Sequence, residues 1–327
     1  MKPLIYILLC LFLYACNEDP FESADTGQQT ISIHINKPET RALNDTLTAT
    51  WEKKINTATL YVFNPAGNAI YVYPLTTTQI TALNNQYSTA INLLVPGNLT
   101  SCDIYMVANS TPSAPVTTKA SLLSSIETDI NSYNGTYAQV TTAAQRSNGF
   151  TMTASQNGIA LSGSPAVNLT LKRIVAKVSL QITFSTLLQL GTITMNNVTL
   201  TQSAPVSNLF PLSTPNTTGN AITFSQVPNQ PTSGVYIYQA LFYIYENSSR
   251  TSNKNYVILS FSGTNKLLAL LPTSFSYQIA LTGDASGAIS RNKVYFIKAT
   301  VLQLTNLSLF SISGKDIAVT IEEKYEQ

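Results

Sequence analysis

Side chains able to do chemistry are scarce in this chain. It has three cysteines, Cys10, Cys16 and Cys102, and a single histidine, His34. One imidazole cannot build a His-rich metal set, and a catalytic thiol needs a base to form its thiolate. Cys102 lies in Thr100-Ser-Cys-Asp-Ile-Tyr-Met-Val107, which reads as a strand, so it is expected to be an inert core residue. The neighbouring acids Glu322 and Glu323 fall in a charged tail and read as solvated rather than as an acid–base pair. Arg173 and Lys177 read as strand-edge charges. No glycine-rich phosphate loop and no Asp/Asn calcium loop is present. The expectation is a protein that is not an enzyme, with no metal and no cofactor.

Cys16 has a different chemistry. Met1 and Lys2 form a short basic start, and an apolar run covers residues 4–14. That run is shorter than the roughly 20 residues a membrane-spanning helix needs, but it suits the apolar stretch of a signal peptide. It ends in Leu13-Tyr14-Ala15-Cys16, similar to the lipobox cut by lipoprotein signal peptidase. Residues 1–15 are therefore read as a lipoprotein signal, with Cys16 carrying the lipid (diacylglyceryl, palmitate) that would hold the chain to a membrane. Asn17, Glu18, Asp19 and the polar residues up to Gln29 suit a tether between lipid and folded body.

Composition narrows the partners. Charged residues make up 10% of the chain and the net charge is +2, with no basic or acidic block, so nucleic acid is not expected. With Cys10 in the signal and Cys16 lipidated, Cys102 has no disulfide partner, and stability must come from packed cores. The chain left after the signal is long enough for two ordinary domains.

The elements that would carry these residues are strands. Ile31, Ile33 and Ile35 alternate with Ser32, His34 and Asn36, the period of a half-buried strand. Strands at 60–63 and 69–73 flank Asn64-Pro-Ala-Gly-Asn68, a turn in which proline fixes one φ and glycine permits a positive one. Further strands are expected at 88–95, 103–108, 167–171, 175–184, 191–200, 235–245, 256–262, 276–280, 293–302 and 315–322. A short surface helix is expected at 122–130. Many short strands between turn signals predict an all-β fold of two tandem sandwiches, with a boundary near residues 171–174.

Several segments, in order, resemble the Bacteroidales fimbrillin family, the type V pilins that include FimA-like and Mfa-like lipoprotein precursors. They are Tyr105-Met-Val-Ala108-Asn109, Phe150-Thr-Met152, the stretch through Arg173-Ile-Val-Ala176-Lys177-Val178, Phe242-Tyr-Ile-Tyr-Glu246-Asn247, and Ile289-Ser-Arg291-Asn292-Lys-Val-Tyr295. The resemblance implies two transthyretin-like β-sandwiches and a fimbrial subunit, delivered to the outer membrane and assembled into a fimbrium. It further implies that an Arg-specific protease removes the first strand, and that other pilin subunits, including copies of the same chain, fill the gap.

The residues permit this scheme. Residues 16–41 would be a lipidated propeptide whose removable strand carries Ile31, Ile33 and Ile35. Pro38 should stop pairing, and Arg41 is the sole arginine in the first hundred residues, so cleavage is expected at Arg41-Ala42. The sandwiches would then span 42–172 and 173–327. Ile317, Val319 and Ile321 repeat the spacing of the three early isoleucines, which marks 315–322 as a candidate donor strand, with Gly314 as its hinge. A strand belonging only to its own domain would show the same pattern. The rival reading is a glycan- or protein-binding surface lipoprotein, or an anchor or accessory subunit that keeps its lipid. Exposed aromatics would favour glycan binding, but the chain has one tryptophan, Trp51, beside 17 tyrosines, and Trp51 reads as a core or rim residue.

Overall fold

The computed structural model describes residues 27–37, 49–112, 114–211, 221–231, 236–247, 257–266, 271–281, 289–304 and 317–325. The first half contributes strands β1 (Gln29–Asn36), β2 (Ala58–Phe63), β3 (Ala69–Pro74), β4 (Ser88–Val95), β5 (Ser101–Ala108), β6 (Ile126–Glu127), β7 (Met152–Ala160), β8 (Ala166–Thr170) and β9 (Lys172–Arg173). The second contributes β10 (Val175–Phe184), β11 (Thr192–Ser203), β12 (Ser207–Asn208), β13 (Ile222–Gln226), β14 (Tyr238–Tyr245), β15 (Val257–Lys266), β16 (Thr273–Leu281), β17 (Lys293–Val301) and β18 (Ile317–Tyr325). The fold is all-β, in two tandem sandwiches. The first pairs the sheet β4-β1-β8 with β3-β2-β5-β7-β9, and the second pairs β14-β10-β17-β18 with β13-β11-β15-β16.

The alternation seen in the sequence becomes the inward face of each sheet, as strand geometry requires. Ile31, Ile33, Leu60, Val62, Ile104 and Met106 are buried in the first sandwich, and Val178, Leu180, Ile182, Leu259 and Ile297 in the second. The hairpin β2–β3 closes on the expected turn. Gly67 takes φ +82°, its N–H donates to the Asn64 carbonyl at 2.8 Å, and the Asn68 N–H donates to Asn64 Oδ1 at 2.9 Å.

The expected helix at 122–130 is corrected. A helix at Lys119–Leu123 ends early, β6 follows, and a 3-10 turn covers Ile130–Tyr133. Leu122 and Ile130 are both fully buried, so their spacing reflects two separate insertions into the core rather than one surface helix. Two other helices, Thr77–Gln86 and Tyr137–Thr142, each begin with a capping box, Thr76 with Gln79 and Thr136 with Gln139.

The sandwiches are joined by a polar seam. β6 of the first half pairs with β12 of the second. Glu52, fully buried, accepts hydrogen bonds from Arg173, from Lys177 Nζ at 2.6 Å and from the Tyr243 hydroxyl at 2.9 Å. Burial alone would raise the Glu52 pKa, but Arg173 and Lys177 outweigh it and hold the carboxyl below its ordinary value. Glu127 accepts from the hydroxyls of Tyr133 (2.5 Å), Thr151 (2.6 Å) and Tyr245 (3.1 Å). The Asn134 side chain brackets the Tyr243 backbone, donating to its carbonyl and accepting from its N–H, both at 2.8 Å. Arg173 and Lys177 are thus not edge charges: their partner lies more than a hundred residues earlier in the chain, where no local pattern announces it.

Candidate assembly site: the first and last strands

β1 is the central strand of its sheet. It runs antiparallel to β4 from Gln29↔Val95 to Asn36↔Ser88, and parallel to β8 from Ser32↔Ala166 to Asn36↔Thr170. Ile31, Ile33 and Ile35 are each 0% exposed, while Ser32, His34 and Asn36 face away from the core. Full burial of each isoleucine stabilises by roughly 1.5–3 kcal/mol, so β1 is a large part of what holds its sandwich closed.

Both ends of β1 are fastened. At the start, Gln29 Nε2 donates to the Gly97 carbonyl at 3.0 Å, and Gly97 lies so close to Gly27 that a Cβ there would sit 1.5 Å from the Gly27 oxygen. At the other end, the Lys37 N–H donates to the Tyr87 carbonyl at 2.9 Å. Tyr87 ends the helix Thr77–Gln86 in the left-handed region, φ +63°, and the Lys37 ammonium lies 5.0 Å from its ring centroid. Lys37 Nζ also reaches the Asn84 carbonyl at 3.4 Å. Burial first, and the charge of Lys53 second, lower the Lys37 pKa. The strand therefore ends at a buried cation, and Lys53, whose charge acts on it, is itself only 8% exposed.

β18 occupies the opposite kind of position. It pairs with β17 alone, antiparallel, from Val301↔Ile317 to Lys293↔Tyr325, at the edge of its sheet. Ile317 is buried, whereas Val319 and Ile321 are half-buried against the core. Ala318 and Thr320 face solvent, and Glu322 pairs with Lys298 at 3.0 Å across an exposed surface. Such a pair contributes about 0–1 kcal/mol.

The structure brings neither strand to the other: β1 lies in the first sandwich and β18 in the second. Cys16, Arg41, Ala42, Pro38 and Gly314 lie outside the described residues. Cys102 is 1% exposed and its thiol is pushed up to about 11, by burial first and by Asp103 second, which leaves it protonated and unreactive at neutral pH. Trp51 is half-buried with its ring 6.0 Å from that of Phe150, so it is a rim residue rather than a displayed platform. Among the described residues no group of three His, Cys, Asp or Glu side chains gathers at metal-binding distance, and no helix is long and apolar enough to cross a membrane.

The motif residues noted in the sequence hold backbone segments in place, and one of them reaches across the seam. Asn109, with φ +59° and no exposure, accepts from the N–H groups of Asn56 (2.7 Å) and Thr57 (3.3 Å) and donates to the carbonyls of Lys54 (2.7 Å) and Phe150 (2.9 Å). Asn292 accepts from the Arg173 N–H at 3.0 Å. Arg291 pairs with Glu246, donating through Nε at 2.9 Å, and also donates to the Leu209 carbonyl at 2.9 Å. Asn109 thus clamps loops of the first sandwich and Arg291 those of the second, and the bond from Arg173 to Asn292 joins the two.

Comparison with known proteins agrees with this geometry. The family model described as the major fimbrial subunit protein (FimA) matches residues 29–219, beginning at the first residue of β1. A search of curated protein sequences gives no match. Among solved structures, a fimbrilin (FimA) from Porphyromonas gingivalis W83 superposes with a TM-score of 0.62 at 14% identity, covering 91% of this chain and 98% of that one. The tip fimbrial protein Mfa3 from Porphyromonas gingivalis gives 0.54 at 14% identity, covering 90% and 99%. A fimbrial assembly protein from Parabacteroides distasonis gives 0.50 at 14% identity, covering 90% and 95%. At these identities the structural likeness speaks for the fold, and the family match speaks for the role. With more than half its length matched by that model, the chain belongs to the major fimbrial subunit (FimA) family and is a structural subunit of a cell-surface fimbrium.

Proposed function

We propose that this subunit is delivered to the outer membrane as a lipoprotein through Cys16, cut by an Arg-specific protease at Arg41-Ala42, and polymerised by strand exchange between copies of the chain. The observation that carries the proposal is the contrast between β1 and β18. Loss of residues up to Arg41 would remove β1 and expose the facing edges of β4 and β8 over three empty apolar pockets. A slot of that kind accepts an extended strand, with ladder hydrogen bonds giving affinity and pockets giving register. β18 offers Ile317, Val319 and Ile321 at the matching spacing. As an edge strand it gives up one ladder rather than two on leaving its own sheet. A chain held closed by its own lipidated segment would not polymerise before it reached the cell surface.

The test is limited digestion of the purified precursor with an Arg-specific protease. The wild-type chain should yield a product beginning at Ala42 and then a ladder of oligomers, while Arg41→Ala should stay monomeric. Polymer from undigested Arg41→Ala would sink the proposal.

A further inference from the structure

The sheet that ends in β18 has a second edge, β14, which among the described strands pairs with β10 alone. Alternate residues of a strand turn their N–H and C=O groups to opposite sides, and on β14 those of Gln239, Leu241 and Tyr243 turn away from β10. Such a row is a ready template for another chain. Here every group in it is taken. The Tyr243 N–H donates to Asn134 Oδ1 and its carbonyl accepts from Asn134 Nδ2, both at 2.8 Å. The Leu241 N–H donates to Gln226 Oε1 at 2.9 Å, and its carbonyl accepts from Gln226 Nε2 at 3.3 Å. The Gln239 N–H donates to Asn229 Oδ1, and its carbonyl accepts from the Asn229 N–H at 3.2 Å.

In an antiparallel ladder two opposed residues exchange both bonds, and a carboxamide carries the same acceptor and donor as a peptide unit. Asn134, Gln226 and Asn229 thus stand where three residues of a neighbouring strand would stand. The second amide hydrogens hold the row ready. Asn134 Nδ2 also donates to the Ile130 carbonyl at 3.2 Å, and Gln226 Nε2 to the Gly135 carbonyl at 2.8 Å. The row is therefore linked to itself across the two sandwiches, since Asn134 belongs to the first and Gln226 to the second. Farther along the same edge, Asn247 exchanges backbone bonds with Ile289 at 2.8 and 3.3 Å.

We propose that this row of three amides is a guard that denies the β14 edge to a second copy of this chain. Two unguarded copies would meet β14 to β14 about a twofold axis, Leu241 opposite Leu241 and Gln239 opposite Tyr243. Such a contact is isologous and closes on itself, so it yields a dimer and not a growing fibre. For a fimbrial subunit that dimer is a dead end. The inference does not depend on the strand-exchange reading, because the guard is in place in the uncut chain.

The test uses the purified uncut chain. In wild type the amide hydrogens of Gln239, Leu241 and Tyr243 should exchange as slowly as those of β10, and the chain should stay monomeric at every concentration. Asn134→Leu with Gln226→Met removes four of the six bonds, together with the anchors to Ile130 and Gly135. In dilute solution this variant should exchange on the order of a hundredfold faster at Leu241 and Tyr243. As concentration rises it should form dimers, and protection at those two amides should return. Should the double variant fail to fold, Gln226→Met alone carries the same test at Leu241. Rapid exchange at the three amides in wild type overturns the proposal. So does a folded variant that stays monomeric, or one that associates while Leu241 remains unprotected, for then the amides only stabilise the fold.

Discussion

The two sandwiches treat corresponding sheets differently. In the second, β10 lies between an antiparallel neighbour, β14, and a parallel one, β17, and β18 is added outside β17. In the first, β1 lies in the same way between antiparallel β4 and parallel β8, but among the described residues nothing is added outside β8. β1 is therefore the counterpart of β10, a strand at the centre of a core, and β18 has no counterpart among the described residues. The molecule places an indispensable strand where a single cut could release it, ahead of the rest of its sandwich. It places a supernumerary strand of matching apolar spacing at its far end. Under the proposed exchange, burial marks what a sandwich must have in its slot, and edge position marks what it can spare.

The sharpest way to break that contrast is to put a charge into each strand. Ile33→Asp buries an unpaired carboxylate at the centre of β1 and should cost the precursor about 4 kcal/mol or more, unfolding its first sandwich in a thermal melt. Val319→Asp on the half-exposed edge should leave the precursor melt nearly unchanged while abolishing oligomers after digestion. Equal destabilisation by the two would erase the distinction.

The next largest effect concerns the seam, which would have to hold the sandwiches in line if β1 were removed. Glu52→Gln leaves Arg173 and Lys177 buried without their carboxylate and should cost about 3–5 kcal/mol, separating one denaturant transition into two. The same group predicts an acid response. Its pKa is depressed in the folded state, so its contribution is complete above the ordinary carboxylate value of about 4.3 and is lost as pH falls through the lower folded value. Wild type should therefore lose seam stability only in strong acid, and Glu52→Gln should show no such loss.

A smaller effect sharpens the account of β1. Lys37→Met removes a buried cation on which the charge of Lys53 acts, and should raise the melting temperature of the precursor slightly and slow release of the cut segment. The Lys37 pKa is lowered on folding, so the wild-type strand should also be held more tightly as pH rises toward the free lysine value, a trend that Lys37→Met should lack. A destabilised Lys37→Met precursor would show that the contacts to Asn84 and Tyr87 outweigh the repulsion.

Much of this fold was legible because period-two alternation survives wherever one face of a strand is buried. It located β4, β10 and β17 to within one residue and the start of β1 to within two. What escaped it depended on distance or on local signals of another kind. The helix Thr77–Gln86 has little apolar periodicity, yet Thr76 with Gln79 announces its start, as Thr136 with Gln139 announces the later one. The seam was hidden for a different reason. Glu52, Arg173, Lys177 and Tyr243 meet only after two sandwiches have folded against each other, and a charged residue in a strand reads as exposed until its partner is found. Of the assembly site, the three isoleucines of β1 could be read as a buried face. That β1 is bounded on both sides, and β18 on one, required the sheet order.

The account stands most directly on the N-terminus of the subunit inside assembled fibres. Sequencing or intact-mass analysis of fibres sheared from the cell surface should give chains that begin at Ala42 and lack Gln29–Asn36. Fibre subunits that still carry β1 and the lipid on Cys16 would contradict it.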